Sequence, residues 1–252
     1  MLEVLVRSML YYPVTIRRDT PPPSYVVGAQ EVWIESRDGN QIHALHWPAS
    51  TGRPTLLFFH GNAQSVFEWA LIREELAPLD CGLLLMDYPG YGKSTGKPSE
   101  KALYAGGQAC YDWLVNHDVP AASIVVFGKS LGGGVSAKLV SENPVKGMIL
   151  ESTFTSVPAV AKKLFPVLPI GAMFRSEIYD TASRMGNINV PVLVIHGRQD
   201  EMIPVSQGQA LFEAANEPRE LYLVEGAGHS DVSLSAGSAY GRTLRDWLDK
   251  IG

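Results

Sequence analysis

Polar and apolar positions alternate along the chain in two different ways. Near its start, EVWIES and QIHALHW flank RDGN, where Asp38 and Gly39 are expected to supply the positive backbone angles of a tight turn. Residues 31–47 are therefore predicted to form a β-hairpin. Further on, short apolar runs take turns with stretches of helical spacing. The runs are TLLFFH, CGLLLMDY, SIVVFG, GMILES, VLVIHG and ELYLVEG, and helices are predicted near residues 65–78, 99–117, 131–142, 206–216 and 236–250.

The apolar runs indicate the fold class, because strands without polar alternation are strands covered on both faces. Such strands, alternating with helices, predict an α/β fold with a parallel sheet between two layers of helices. In a sheet of this kind the ligand site lies beyond the carboxyl ends of the strands. We therefore expect reactive residues immediately after the apolar runs.

Residues 1–24 are predicted to be an N-terminal segment that ends in a stiff, extended linker, TPPPS, ahead of a single domain over residues 25–252. The apolar start of this segment is interrupted by Glu3 and Arg7, so we expect neither a signal peptide nor a membrane span there. We expect residues 1–14 to form a short amphipathic helix or strand that packs on the domain. A contact with a membrane surface or with a second copy of the chain is the alternative.

Composition narrows the classes of function. The net charge of -5 and the scattered Lys and Arg residues argue against a nucleic-acid partner, which needs a concentrated basic surface. The two cysteines, Cys81 and Cys110, lie in apolar patterns and are expected to be buried free thiols. Free thiols suit a reducing compartment, so a cytoplasmic protein is expected.

The pattern Gly-x-Ser-x-Gly occurs twice, as GKSTG and GKSLG. Ser130, in the second copy, follows a predicted strand and opens a glycine-rich helical pattern, so it is predicted to stand on a sharp strand–turn–helix connection with its hydroxyl projecting from the sheet. An ordinary helix N-cap is the alternative. Ser94, in the first copy, is expected in a loop. Neither copy completes a phosphate-binding loop, because Asp87 and Ser123 stand where its first glycine belongs, so no nucleotide cofactor is expected.

A reactive serine needs a base, and the base needs an orienting carboxylate. Of the six histidines, His229 in EGAGHSD is predicted to lie in a loop beyond the last strand, from which its imidazole can reach Ser130. A solvated loop histidine is the alternative. Asp200, just after VLVIHGRQ, is the favoured carboxylate because a loop lets it reach His229. Glu151, at the end of GMILE, is its rival.

Two backbone N–H groups are predicted to face the same point. Gly61, after the strand TLLFFH, permits a turn that aims the N–H of Asn62 inward, and the N–H of Leu131 follows Ser130 directly. Together they form a candidate oxyanion hole for a tetrahedral intermediate. Ordinary turn chemistry is the alternative for Asn62.

The order of the motifs HGN, DYPGYGKS, GKSLGGG, LESTFTS, VLVIHGRQDEMIP and GAGHSD resembles the α/β-hydrolase superfamily over roughly residues 30–251. The resemblance is to the small serine hydrolases related to the yeast bud-emergence protein and to depalmitoylating hydrolases. It implies an eight-stranded, mostly parallel sheet, a catalytic triad of Ser130, Asp200 and His229, and no cofactor or metal. In that family DYPGYGKS is a loop signature, which excludes Ser94 from the chemistry.

The leading functional hypothesis is a carboxylic ester hydrolase that forms an acyl intermediate on Ser130. A thioesterase or peptidase on the same residues, and a non-catalytic binding protein, are the alternatives. Residues 157–190 are expected to form a short cap, which predicts a pocket for short to medium acyl chains. Core packing is nevertheless the more common fate of the apolar residues there. Those available to line the pocket are Val160, Leu164, Phe165, Leu168, Ile170, Met173 and Phe174.

Overall fold

A computed structural model of the protein describes residues 2–164, 167 and 170–252. Within them, eight strands form one sheet in the order β1-β2-β4-β3-β5-β6-β7-β8. The pairs β1/β2 and β2/β4 are antiparallel and the other pairs are parallel, which confirms the mostly parallel sheet. The strands are β1 Gln30–Glu35, β2 Gln41–Trp47, β3 Thr55–Phe59, β4 Gly82–Met86, β5 Ile124–Lys129, β6 Gly147–Glu151, β7 Val192–Gly197 and β8 Arg219–Val224.

Helices cover both faces of the sheet. One face packs against α4, α5, α8 and α9, and the other against α2, α3, α10 and α11. Neighbouring side chains of β3 show why, since Leu57 faces the first layer and Phe58 the second, and both are fully buried. The helices are α1 Leu2–Leu10, α2 Val66–Trp69, α3 Ile72–Leu76, α4 Glu100–Asn116, α5 Leu131–Val140, α6 Val157–Leu164, α7 Ile170–Met173, α8 Thr181–Met185, α9 Val205–Ala214, α10 Val232–Ala236 and α11 Ser238–Lys250.

Two local predictions are corrected. The single helix predicted over residues 65–78 is divided into α2, α3 and a 3₁₀ turn at Ala77–Leu79, although Ala70 and Leu71 between α2 and α3 keep right-handed helical angles. The break therefore lies in the hydrogen bonding rather than in the backbone angles, and helical spacing does not reveal it. In the hairpin turn, Gly39 takes a positive φ of 78°, whereas Asp38 is not among the residues that do.

The start of the chain packs on the domain. Val6 on α1 is fully buried, and the Arg7 and Tyr11 side chains both hydrogen-bond to the buried carboxylate of Glu177. Further along, the Ile16 N–H donates to the carbonyl oxygen of Gly92 at 2.7 Å. None of the helices in the described part of the chain combines the length and the apolar character that crossing a lipid bilayer requires.

The segment between β6 and β7 holds the short helices α6, α7 and α8. The side chains of Ile170 and Phe174 are buried in the core, and Val160 and Met173 pack against it half-buried. These four residues therefore pack in or against the core, which is the more common fate expected for them, and none of them lines the cavity at Ser130. The other candidates, Phe165, Leu168 and the side chain of Leu164, lie outside the described residues.

Candidate active site

Ser130 is the whole connection between β5 and α5, since β5 ends at Lys129 and α5 begins at Leu131. Its backbone takes φ 52° and ψ −116°, a conformation that L-residues rarely adopt. Two hydrogen bonds hold it there, from the Ser130 N–H to the Glu151 carbonyl at 2.9 Å and from the Thr153 hydroxyl to the Ser130 carbonyl at 2.7 Å. Ser130 occupies the N-cap position of α5, but its hydroxyl makes no capping hydrogen bond to the helix, so it does not act as an ordinary N-cap side chain.

The glycines on either side of Ser130 are required by close approach of the backbone. A Cβ at Gly132 would lie 2.6 Å from the carbonyl carbon of Phe59 on β3, and a Cβ at Gly128 would lie 2.5 Å from the Gly132 carbonyl oxygen. Both distances are far below an ordinary van der Waals contact. These two glycines therefore allow α5 to pack closely against β3 and β5.

The structure brings together the three side chains that the sequence singled out. His229 Nε2 lies 3.0 Å from Ser130 Oγ, and His229 Nδ1 lies 2.8 Å from Asp200 Oδ2. Asp200 follows β7, His229 follows β8 and Ser130 follows β5, so all three stand beyond the carboxyl ends of parallel strands. This arrangement can pass a proton from the Ser130 hydroxyl to the imidazole and hold the resulting imidazolium beside a carboxylate.

Asp200 is held as a carboxylate. Its Oδ1 accepts the N–H groups of Met202 at 3.0 Å and Ile203 at 2.7 Å. Burial by itself would raise the pKa of Asp200, but the hydrogen bonds from His196 and His229, the charge of His229 and the backbone bonds together hold this pKa well below its usual range. Asp200 therefore remains ionised at neutral pH.

Glu151, the rival carboxylate, has different partners. Its Oε1 lies 2.7 Å from Lys129 Nζ, and its Oε2 accepts a hydrogen bond from the Tyr240 hydroxyl at 2.6 Å. The Glu151 side chain is fully buried, and none of its contacts in the described residues is with His229. Glu151 supports the Ser130 turn through its backbone carbonyl and through the Lys129 ion pair.

Ser94 is a structural residue. Its hydroxyl accepts a hydrogen bond from the His43 N–H on β2 at 2.8 Å and donates one to the Asp87 carbonyl at 2.8 Å. The donor and the acceptor capacity of this hydroxyl are therefore both used. The Asp87 carboxylate lies 2.6 Å from His43 Nδ1, and it accepts a hydrogen bond from the N–H of Val66, the first residue of α2. The DYPGYGKS loop thus ties β2, β4 and α2 together.

A cavity of about 630 Å³ opens at Ser130. The segment around residues 61–75 supplies most of its wall, with none of the described cap residues among its lining. Trp69 is the large aromatic side chain of this wall, and the helical pattern alone did not distinguish it from a core residue. The lining residues are Tyr12, Gly61, Asn62, Ala63, Gln64, Glu68, Trp69, Leu71, Ile72, Glu75, Lys129, Ser130, Met202, His229, Ser230 and Ser233.

One candidate oxyanion donor, Asn62, lies at this cavity, and the other, Leu131, directly follows Ser130, which also lines it. Asn62 follows the buried His60 and Gly61 at the end of β3, and it lines the cavity together with Ser130. Leu131 is the first residue of α5, where backbone N–H groups have no partner within the helix. Within the described part of the chain, no group of three or more His, Cys, Asp or Glu side chains is arranged to hold a metal ion.

Sequence comparison shows which protein family the chain resembles. A family model described as alpha/beta hydrolase fold matches residues 54–171. The chain is 33% identical to Uncharacterized protein Rv2307c of Mycobacterium tuberculosis, a match that covers 96% of this chain and 86% of that protein. It is 36% identical to Alpha/beta hydrolase domain-containing protein 17B of Homo sapiens, covering 78% and 67%, and 30% identical to Protein bem46 of Schizosaccharomyces pombe, covering 94% and 82%.

Solved structures show the same fold. The Pyrococcus furiosus esterase PF2001 superposes with a TM-score of 0.74, covering 96% of this chain and 97% of that one, at 20% sequence identity. At that identity the likeness is one of fold.

Proposed function

The chain belongs to the α/β-hydrolase family, in its bud-emergence and depalmitoylase-like branch, and from this premise we propose that it is a serine esterase for carboxylic esters of short to medium acyl chains. The observation that carries the proposal is the 3.0 Å contact between Ser130 Oγ and His229 Nε2 at the edge of an open cavity. A serine hydroxyl becomes an effective nucleophile when such a base can take its proton.

In the first half-reaction, Ser130 Oγ attacks the ester carbonyl carbon while His229 Nε2 accepts the hydroxyl proton. Asp200 stabilises the imidazolium that forms, at 2.8 Å from Nδ1. The N–H groups of Asn62 and Leu131 donate to the developing oxyanion. The tetrahedral intermediate collapses when His229 returns the proton to the leaving alcohol oxygen, which breaks the ester bond and leaves an acyl ester on Ser130.

In the second half-reaction, water takes the place of the alcohol. His229 Nε2 removes a proton from the water as its oxygen attacks the acyl carbon, and the same N–H groups receive the oxyanion. Collapse of this second intermediate returns the proton to Ser130 Oγ and releases the carboxylic acid. No redox step and no metal-bound water enters this balance.

The cavity supports a small substrate. Its volume of about 630 Å³ falls within the usual range of small-molecule sites, about 300–1,000 Å³. Its apolar lining includes Trp69, Leu71, Ile72 and Met202. Acyl groups of moderate length fit a wall of this extent, so we expect higher kcat/KM on butyrate or hexanoate esters than on palmitate esters.

A thioesterase acting on acylated proteins is the second candidate. Three apolar side chains at the cavity are more exposed than usual, namely Tyr12 at 59%, Leu71 at 49% and Met202 at 56%. Exposed apolar groups beside a cavity are typical of surfaces that receive an apolar partner, such as an acyl chain carried by a protein. The acyl half of the mechanism is shared, so only the leaving group differs.

Labelling and matched substrates test the proposal. A fluorophosphonate probe should add the mass of one phosphonyl group to each protein molecule, and the modified residue should be Ser130. The labelling should abolish turnover, and Ser130→Ala should prevent the labelling. Oxygen-ester, thioester and amide substrates with one acyl group then rank the two candidates by kcat/KM. Labelling at another residue, or full ester turnover by Ser130→Ala, would contradict both candidates.

A further inference from the structure

We propose that residues 2–16, here called the N-terminal arm, are a working part of the site because they hold the oxyanion loop, residues 60–65, through the side chain of Asn62. This inference rests on the proposed function, in which the Asn62 backbone N–H is an oxyanion donor. It adds a positioning role for a side chain and for a segment that precedes the domain predicted over residues 25–252.

The oxyanion loop needs external support. Ala63 and Gln64 take φ angles of 63° and 65°, the left-handed region that non-glycine residues rarely occupy, and they do so consecutively. Residues held in such conformations persist when their surroundings over-determine them. Since the Asn62 N–H directly precedes this strained pair, its direction depends on whatever fixes the loop.

The Asn62 side chain provides that support. Its Oδ1 accepts the Ala63 N–H at 3.0 Å, the Tyr12 N–H at 3.2 Å and the Tyr91 hydroxyl at 2.6 Å. Its Nδ2 donates to the Leu10 carbonyl. One amide therefore joins the loop to the N-terminal arm on one side and to the DYPGYGKS loop on the other.

The N-terminal arm is itself fixed at points away from Asn62. Tyr11 OH and Arg7 Nε donate to the two oxygens of the buried Glu177 carboxylate, at 2.5 Å and 2.6 Å. At its other end, backbone hydrogen bonds join the arm to Gly92, including the bond from the Ile16 N–H at 2.7 Å. The arm is thus a fixed support against which the amide of Asn62 can position the loop.

A positioning role has a definite kinetic signature. The oxyanion forms in the transition state, so a misdirected N–H lowers transition-state binding and leaves ground-state binding of the substrate intact. The side chain of Asn62 acts here through its own backbone, which remains present in an alanine variant. A merely structural role would instead lower thermal stability without this selectivity.

The first test compares Asn62→Ala with Asn143→Ala, a matched control whose amide bridges Gln108 and Leu139 away from the cavity. We expect Asn62→Ala to lower kcat on a butyrate ester by about 10- to 100-fold with little change in KM. A trifluoromethyl ketone whose alkyl chain matches the butyrate acyl group forms a tetrahedral adduct with a reactive serine. The affinity of Asn62→Ala for this inhibitor should weaken by the same factor as kcat/KM. The control should keep wild-type values.

The second test releases the arm while leaving Asn62 in place. Val6→Asp puts a charge at a fully buried position of α1, whereas the matched control Val27→Asp changes a side chain that is 76% exposed and lies outside the arm. We expect Val6→Asp to lower kcat, and the double variant with Asn62→Ala to have a kcat no lower than that of the slower single variant. Independent, multiplying effects would overturn the route through Asn62.

The outcomes separate this inference from the proposed function. If the wild-type protein neither hydrolyses esters nor labels at Ser130, the proposed function fails. If it does both, while Asn62→Ala keeps wild-type kcat or loses kcat/KM through KM alone, the positioning role is overturned and the function stands. Thermal unfolding of each variant identifies any that does not fold, and if Val6→Asp is one of them the Asn62 and Asn143 pair decides.

Discussion

Ser94 and Ser130 stand in the same pattern, Gly-Lys-Ser-x-Gly, and in opposite surroundings. The Ser94 hydroxyl is buried and satisfied by the His43 N–H and the Asp87 carbonyl. The Ser130 hydroxyl is half-buried, lies 3.0 Å from His229 Nε2 and opens on a cavity. A hydroxyl whose donor and acceptor roles are both used in a loop is a structural bridge, and one that faces an imidazole and open space is available for chemistry.

The glycines of the two copies are required for different reasons. Gly92 and Gly96 take positive φ angles of 48° and 90°, so they permit the turns of the DYPGYGKS loop. Gly128 and Gly132 are absent from the positive-φ residues and are needed because β5, α5 and β3 approach too closely for a Cβ. The first pair therefore meets a conformational requirement in addition to close contacts with the Asp87 and Asn40 side chains, whereas the second pair meets a packing requirement alone.

The lysines are where the two copies agree. Lys93 pairs with Glu31 and Lys129 pairs with Glu151, and each lysine side chain is almost fully buried. A buried ion pair costs desolvation, and breaking it by removing one partner leaves an uncompensated charge. Lys93 thus joins its loop to β1, and Lys129 joins the end of β5 to β6, so the lysine distinguishes neither serine.

The largest predicted effect is on turnover and separates the two serines directly. Ser130→Ala should lower ester turnover by about 10⁴- to 10⁶-fold, because the nucleophile is gone. Ser94→Ala should keep most of the turnover and lower the free energy of unfolding by about 1–3 kcal/mol, because two buried backbone groups lose their partner. Steady-state kinetics and urea unfolding of both variants measure this, and a dead Ser94→Ala with an intact fold would reverse the comparison.

The second prediction concerns the carboxylate that supports Ser130. Asp200→Asn should lower kcat by about 10⁴-fold, because the amide favours the wrong imidazole tautomer and cannot stabilise the imidazolium. Glu151→Gln should slow turnover less and destabilise the fold more, by about 3–5 kcal/mol, because Lys129 loses its buried partner. The opposite ranking of kcat would make Glu151 the orienting acid.

The pKa of Asp200 adds a pH test to the second prediction. Since this pKa is lower in the folded protein than in an unfolded chain, where it is about 3.9, ionised Asp200 contributes stability above that pH and loses the contribution as the pH falls through the folded value. The stability difference between the wild type and Asp200→Asn should narrow below about pH 4. A difference that stays constant in acid would contradict the depressed pKa.

The third prediction tests the glycines. Gly132→Ala should destabilise the protein more than Gly96→Ala, because the new methyl group meets the Phe59 backbone, which cannot rotate away. At Gly96 the added Cβ meets the Asn40 side chain and the cost is mainly that of a positive φ, about 1–3 kcal/mol. Chemical unfolding gives both values, and a Gly132→Ala protein as stable as the wild type would remove the packing argument.

The sequence predicts those features of the site that depend on consecutive residues, and it does not predict contacts between residues far apart along the chain. The strand ends and the turn at Ser130 follow from local patterns, because a buried strand, a reactive residue and a helix start are consecutive there. The support of the oxyanion loop by the Tyr12 N–H, 50 residues away from Asn62, has no local signal. The place of Trp69 at the cavity has no local signal either, because helical spacing alone does not distinguish a side chain that lines a cavity from one that packs in the core.

The smallest predicted effect concerns the cavity at Ser130. Ser130 lines this cavity and Ser94 does not. Trp69 stacks on His60 with 5.9 Å between ring centroids, and a Cβ at Gly61 would lie 3.4 Å from the Trp69 indole ring and 3.6 Å from the Ser130 Cβ. This position beside the reactive hydroxyl should limit the length of the acyl group. Trp69→Ala should therefore move the optimum of kcat/KM to esters with longer acyl chains. Each added methylene that the enlarged cavity accepts should raise kcat/KM by at most about fourfold, which corresponds to about 0.8 kcal/mol.

A cap-side truncation is the matched control for Trp69→Ala. Val160 packs half-buried against the core and does not line the cavity, so Val160→Ala should leave the chain-length profile of kcat/KM unchanged from acetate to palmitate esters. If Val160→Ala moved the profile and Trp69→Ala did not, the acyl group would bind on the cap side, as the sequence alone predicts. Because each step is small, the profile must be measured below KM with substrates that stay in solution, where the ratio of successive rates reports the binding of one methylene.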